Sequence, residues 1–239
     1  MTPDLHDGSE TANGSSARGY ASFPSVEGPL AVETRRLVIA PHCDDEVFGC
    51  GGLLAKNPDE TAVVVLAKPG DVRRKEFEAA REILGYSAAT FLDLEDGYLG
   101  KNMHELVGLL DLVIAHFKPQ ALYLPRPSTH QDHIAAYEAG VRAGRLSMSA
   151  GHHFTPSLYV YDVAAYDLEL YPTDLNWNFF ESLSEQQIDQ KVRALEAYAS
   201  QAVTGPHPIN SMKQIARAIG NARATRWAEQ FAVLRTVCA

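Results

Sequence analysis

The sequence predicts an α/β fold: a doubly wound, Rossmann-like and mostly parallel sheet with helices on both faces, plus a C-terminal addition of helix and strand. Three observations carry that expectation. Short apolar runs alternate with stretches of helical periodicity from residue 36 to about 145. The intervening stretches are long enough for right-handed crossovers, which make neighbouring strands parallel. Beyond residue 150 the alternation stops and a different pattern begins.

The first four strands are expected at 36–40, 61–67, 89–94 and 121–125, where branched and aromatic residues cluster. Helical periodicity follows each, at 45–56, 72–84, 103–117 and 133–145. In the second of these Phe77, Ala80, Ile83 and Leu84 share one face and Arg73, Lys75, Glu78 and Glu82 the other, and Gly85 supplies a stop. Residues 157–163 read as a further strand, and 166–180 are dense in aromatic side chains around Pro172. Ser184 three residues before Gln187 is a capping box, opening a helix expected to reach about 201. Helical patterns are also read at 209–219 and 222–235, so that helices cap the sheet in this third of the chain.

The stretch RLVIAPHCDDEVFGCGG, residues 36–52, organises the rest. A buried strand ends at Pro41, and His42, Asp44, Asp45 and Glu46 follow at once. Adjacent carboxylates repel unless a cation, a helix N-terminus or protonation compensates, and a metal is the simplest compensation. The glycines at 49, 51 and 52 do not have dinucleotide-binding spacing, and close helix packing accounts for them better.

A second polar cluster, RPSTHQDHIAAYE, follows the fourth strand. His130 and His133 at a helix start can point to one side, with Asp132 between them. With the first four strands ordered 3-2-1-4, strands one and four are neighbours, and both clusters meet at the switch point where doubly wound sheets bind ligands. Two histidines and an aspartate with one open position form the donor set of a hydrolytic zinc. The remaining carboxylate then serves as general base and the remaining imidazole as electrophilic helper.

The motif PHCDDEVFGCGG, with HQDH about ninety residues later, resembles the LmbE-like, or PIG-L, family of zinc-dependent N-acetylglucosaminyl deacetylases. Weaker echoes are RRKE at 73–76, DG at 96–97, KVRALEAYASQ at 191–201 and RWAEQF at 226–231. The resemblance implies His42, Asp45 and His133 as metal ligands, Asp44 as general base, His130 as oxyanion stabiliser and Asp132 as its orienting partner. It also places Arg73 and Asp96 where relatives contact the sugar. The implied cofactor is zinc, with ferrous iron as the alternative in the cell. The implied reaction is hydrolysis of the N-acetyl group of an amino sugar or glycoconjugate. Another amide, such as a thiol conjugate, and a non-catalytic sugar-binding role are the alternatives. Cys43 stands where the family has proline and is expected to point away from the metal, as a proline ring would. Glu46, in the first turn of a helix, reads as structural or as a support behind the ligands.

A net charge of −9 argues against nucleic-acid binding, which wants a basic face, and favours a small-molecule substrate. No apolar run approaches the roughly 18 residues of a membrane span. Three cysteines are an odd count in a chain with 46% hydrophobic residues, the pattern of a reducing cytoplasm rather than a disulfide scaffold. Residues 1–30 are polar and Gly/Ser-rich and are expected to form a mobile tail ahead of one domain spanning 31–239, with homo-oligomerisation open to it.

Overall fold

The computed structural model describes residues 26–27, 34–86, 88–149, 151–163, 170–205 and 207–237. Its strands are β1 (Val26–Glu27), β2 (Arg36–Ala40), β3 (Thr61–Ala67), β4 (Ala88–Leu94), β5 (Ala121–Pro125), β6 (Ser157–Tyr161), β7 (Phe179–Leu183) and β8 (Trp227–Arg235). Its α-helices are α1 (Asp45–Lys56), α2 (Asp71–Leu84), α3 (Met103–Phe117), α4 (Gln131–Ala143), α5 (Glu185–Glu196) and α6 (Met212–Asn221). Among the described residues the strands form one sheet in the order β1-β4-β3-β2-β5-β6-β8-β7. Strands β4, β3, β2, β5 and β6 run parallel, and β1, β7 and β8 pair antiparallel. The expected 3-2-1-4 order is the central β4-β3-β2-β5 block.

Strand β3 is buried at every position, as a strand covered on both faces must be. On one face Val38, Val63 and Val65 pack with Phe48 of α1, Phe77 of α2 and Ala194 of α5. On the other, Leu37, Ile39 and Val64 pack with Leu110 and Ile114 of α3 and Ala136 of α4. Helix α2 ends as expected at Gly85, whose φ of 84° suits a residue without Cβ. The Ser184–Gln187 capping box opens α5. Among the described residues no helix is long and apolar enough to cross a membrane.

The C-terminal third departs from expectation. Residues 227–235, read as helical, form strand β8, and 179–183 form β7, so this segment lengthens the sheet as well as covering it. The reason is tertiary: β8 inserts between β6 and β7, which satisfies its backbone on both edges and overrides the helix-favouring alanines. The expected tail lies outside the described residues except for Val26–Glu27, which pair with Thr90 and Ala89 of β4 instead of staying free. Part of the aromatic run, 164–169, also lies outside them.

Candidate active site

Strand β2 carries the chain through the core, and after Pro41 a three-residue turn, His42 to Asp44, leads into α1. Asp44 sits in that turn with φ 116° and ψ −33°, a conformation that costs a non-glycine residue about 1–3 kcal/mol. The turn is closed by carboxylates: His42 N–H donates to Asp45 Oδ2 at 3.0 Å, and Asp44 N–H to Glu46 Oε2 at 2.9 Å. Glycines 49, 51 and 52 let α1 lie against its surroundings, since a Cβ built there would overlap Tyr161, Lys191 and Leu183 respectively.

The second cluster arrives on β5, the parallel neighbour of β2. His130 caps α4, its Nδ1 accepting from Asp132 N–H at 3.2 Å. Ser128 Oγ accepts from His130 N–H at 3.1 Å and pairs with His133 Nδ1 at 3.1 Å. That contact turns His133 Nε2 towards Asp45, 3.3 Å from Oδ2.

All eight sequence-predicted residues therefore gather at the C-terminal ends of the parallel strands. Asp45 Oδ2 lies between His133 Nε2 and His42 Nδ1, the latter at 3.4 Å. The ring centroids of His42 and His133 are 5.7 Å apart, and that of His130 is 4.9 Å from His42. Ligand atoms of His42, His130 and His133 lie within 4.8 Å of one another, as do those of His42, Asp96 and Asp132. His42 Nε2 stands 3.1 Å from Asp96 Oδ1 and 3.2 Å from Asp132 Oδ2. Arg73 Nη1 reaches Asp44 Oδ2 at 2.7 Å and Cys43 O at 2.6 Å. A cavity of about 190 Å³ opens here, bounded by His42, Cys43, Lys68, Arg73, Asp96 and His130 among others.

Asp132 meets both His130 and His42. Its carboxylate accepts from Gly97 N–H at 2.7 Å and Leu99 N–H at 3.1 Å and faces His42, and its backbone N–H donates to the His130 ring. It ties the turn that bears Asp96 to His42. One contributor, Ser128, escaped the sequence reading. Ser128 stands inside the RPSTHQDH stretch but attracts no notice until the fold places it against His133. Glu46 binds the Asp44 amide and receives the Tyr198 hydroxyl at 2.6 Å.

The electrostatics divide the two adjacent aspartates. Burial pushes both upward, but His133 and His42 hold Asp45 well below the usual carboxylate range. For Asp44, burial and then the Asp45 charge raise the pKa to about 7, with Arg73 pulling the other way. Burial lowers His42, yet the hydrogen bond and charge of Asp45, with Asp96 and Asp132 behind them, raise it to about 9. His130 is lowered, by burial and then by the charges of His42 and His133. Asp45 Oδ1 and Asp44 Oδ1 are buried and have no hydrogen-bond partner among the described residues, which a cation beside the first and a water beside the second would satisfy. The donor chemistry gathered here, the imidazoles of His42, His130 and His133 beside an orphaned buried oxygen of Asp45, suits a divalent metal. The Cys43 side chain packs in the apolar cluster with Val47 and Phe77, and burial pushes its thiol well up.

A family model described as GlcNAc-PI de-N-acetylase, PIG-L, matches residues 37–144, the segment that holds both clusters. "Uncharacterized deacetylase YaiS" of Escherichia coli (strain K12) is 27% identical over 179 residues, covering 69% of this chain and 90% of that protein. The crystal structure of the conserved protein TT1542 from Thermus thermophilus superposes with a TM-score of 0.71 at 29% identity, covering 86% of this chain and 97% of that one. The N,N'-diacetylchitobiose deacetylase of Pyrococcus horikoshii shares the fold at 19% identity, with a TM-score of 0.65 over 87% of this chain and 86% of its own. Residues 37–144 of this chain thus match the PIG-L, or LmbE-like, family.

Proposed function

We propose that the protein is a metal-dependent deacetylase that removes the N-acetyl group from an N-acetylglucosamine-type amino sugar or glycoconjugate. The observation that carries this reading is the setting of one carboxylate. Asp45 Oδ2 lies within 3.4 Å of both His42 Nδ1 and His133 Nε2, with Asp44 adjacent in sequence and bonded to Arg73. A mere binding site has no use for a second, separately tuned carboxylate beside the ligand set.

His42, Asp45 and His133 would hold the metal, zinc or ferrous iron, whose softness and geometry both suit this donor set. When bound, the ion supplies Lewis-acid polarisation and makes water a stronger acid. Asp44 takes a proton from the attacking water, a task suited to a carboxylate whose pKa lies near 7, and returns it to the leaving amine. His130 accepts the Asp132 N–H at Nδ1, so its neutral ring carries the proton on Nε2. That N–H donates to the oxygen developing negative charge on the acetyl carbon. Asp132 orients His42 across the outer ring nitrogen, the common arrangement behind a ligating histidine. Arg73 and Asp96 line the cavity and offer a cation and a carboxylate to sugar hydroxyls.

The test is a screen of acetylated amino sugars, free, nucleotide-linked, lipid-linked and glycosidic, with metal-loaded protein and acetate as the readout. Acetate is expected from one of these classes and is lost on chelation. Stoichiometric metal with no acetate from any of them would overturn the reading.

A further inference from the structure

The mechanism leaves Glu46 and Tyr198 without a part, and the two are joined at the back of the site. Asp44 holds its strained, positive-φ backbone with the N–H directed to Glu46 Oε2 at 2.9 Å. The other oxygen of that carboxylate accepts the Tyr198 hydroxyl at 2.6 Å. Both side chains are buried, Glu46 completely and Tyr198 to 2% exposure, so neither bond is exchangeable for water. Tyr198 follows α5, far from Asp44 in sequence, and its neighbourhood is itself anchored. Ser200 gives its N–H at 2.7 Å and its hydroxyl at 2.6 Å to Glu76 of α2. The Arg73 guanidinium, also on α2 and bonded to Asp44, lies 5.8 Å from the centre of the Tyr198 ring.

We propose that Tyr198 is a positioning residue for the reaction: acting through Glu46, it holds the turn at Asp44 and so aims the Asp44 carboxylate. The inference rests on the deacetylase reading and on Asp44 as its base. A strained backbone persists only while its surroundings over-determine it. Two donors fix the Glu46 carboxylate in plane, and the carboxylate fixes the Asp44 N–H. Without the hydroxyl, Glu46 Oε1 is left buried and unbonded, a state a side chain escapes by rotating or by taking up a proton. Either response weakens the bond that holds Asp44.

Tyr198→Phe keeps the ring and deletes only the hydroxyl. Relative to the unaltered enzyme, its kcat is expected to fall about 10-fold, short of the ~100-fold that an ångström of misplacement can cost, with KM and metal content unchanged. Glu46→Gln is expected to lose a similar factor, and the double variant no more than the larger single loss, because both act through one chain of bonds. Ser200→Ala deletes the hydroxyl bond to Glu76, keeps the backbone one and so leaves the segment at Tyr198 in place; it serves as the control, lowering the melting temperature with kcat unchanged. The proposal is overturned if Tyr198→Phe keeps full kcat, if it raises KM alone, or if Ser200→Ala loses kcat in the same proportion. An unaltered enzyme that releases no acetate removes the deacetylase reading itself. In that event the Asp44 amide decides the structural half, since its hydrogen exchange must accelerate in Tyr198→Phe.

Discussion

Arg73 Nη1 stands 2.7 Å from Asp44 Oδ2, so the cation expected to meet the sugar is also bonded to the expected base. Burial and the charge of Asp45 raise the Asp44 pKa, to about 7, and Arg73 opposes them. An aspartate base works above its pKa, and removing the cation moves that pKa further up. The acid limb of kcat/KM against pH is therefore expected at higher pH in Arg73→Met than in the unaltered enzyme, and Arg73→Lys is expected to recover part of the shift. A raised KM on an unmoved acid limb would assign Arg73 to substrate alone.

The two adjacent aspartates separate by experiment as they do by environment. Asp44→Asn keeps the shape and tolerates positive φ, but cannot take a proton. It is expected to retain one metal per chain while kcat falls about 10²–10⁴-fold, the usual contribution of a general base. His133→Ala is expected to lose both metal and turnover. Metal analysis beside steady-state kinetics checks the pair, and an active Asp44→Asn enzyme removes the assignment of the base.

The order of the central strands and the meeting of the two clusters were legible because they follow from alternation, crossover handedness and the switch-point rule. What escaped depends on contacts that only the folded chain creates. Strand β8 alternates Trp227, Glu229 and Phe231 with Ala228, Gln230 and Ala232, a pattern without one clean polar face, and only its place between β6 and β7 makes it a strand. Glu229 looks like a surface charge in sequence, yet it is buried against Lys191 and α1. Asp132 was placed on the correct side of the sheet, but its carboxylate answers to Gly97, Leu99 and His42, which the turn after β4 delivers. The backbone of Asp44 carries no sequence signal at all, since aspartate is ordinary at a helix start.

Metal removal is expected to lower stability as well as activity. His42, Asp45 and His133 come from two segments, so an ion joining them binds the folded chain and not the unfolded one. With free zinc at 100 times its dissociation constant the gain is about 2.7 kcal/mol, visible as a rise in the melting temperature that depends on metal concentration. A chelated protein that melts at the same temperature as the loaded one, at equal pH, would argue that this set does not hold the ion.

Lys191 Nζ donates to Glu229 Oε1 and to Phe48 O, both at 2.7 Å, and Glu229 in turn accepts from Gly52 N–H at 2.7 Å and Leu53 N–H at 2.8 Å. Both partners are buried, so the pair is a strut between α5, β8 and the middle of α1. Lys191→Met leaves a buried carboxylate without its cation and is expected to cost about 3–5 kcal/mol, read from denaturant unfolding. Adding Glu229→Gln should recover part of that loss. If the two single losses simply add, the coupling is absent and each side chain acts alone.

Cys43 replaces the family's proline one residue from the base, and a thiol there could in principle bind the metal. The geometry assigns it elsewhere. Its side chain packs with Val47 and Phe77 and is 3% exposed. Burial, with the charges of Glu46 and Asp44 behind it, drives its pKa upward. Its carbonyl meets the site, through Arg73. Cys43→Pro removes sulfur and amide hydrogen but keeps that carbonyl, and is expected to retain metal content and turnover. Cys43→Ser tests the sulfur alone. Loss of metal in both variants would make Cys43 a ligand, and loss in the proline variant only would trace to the shape of the turn.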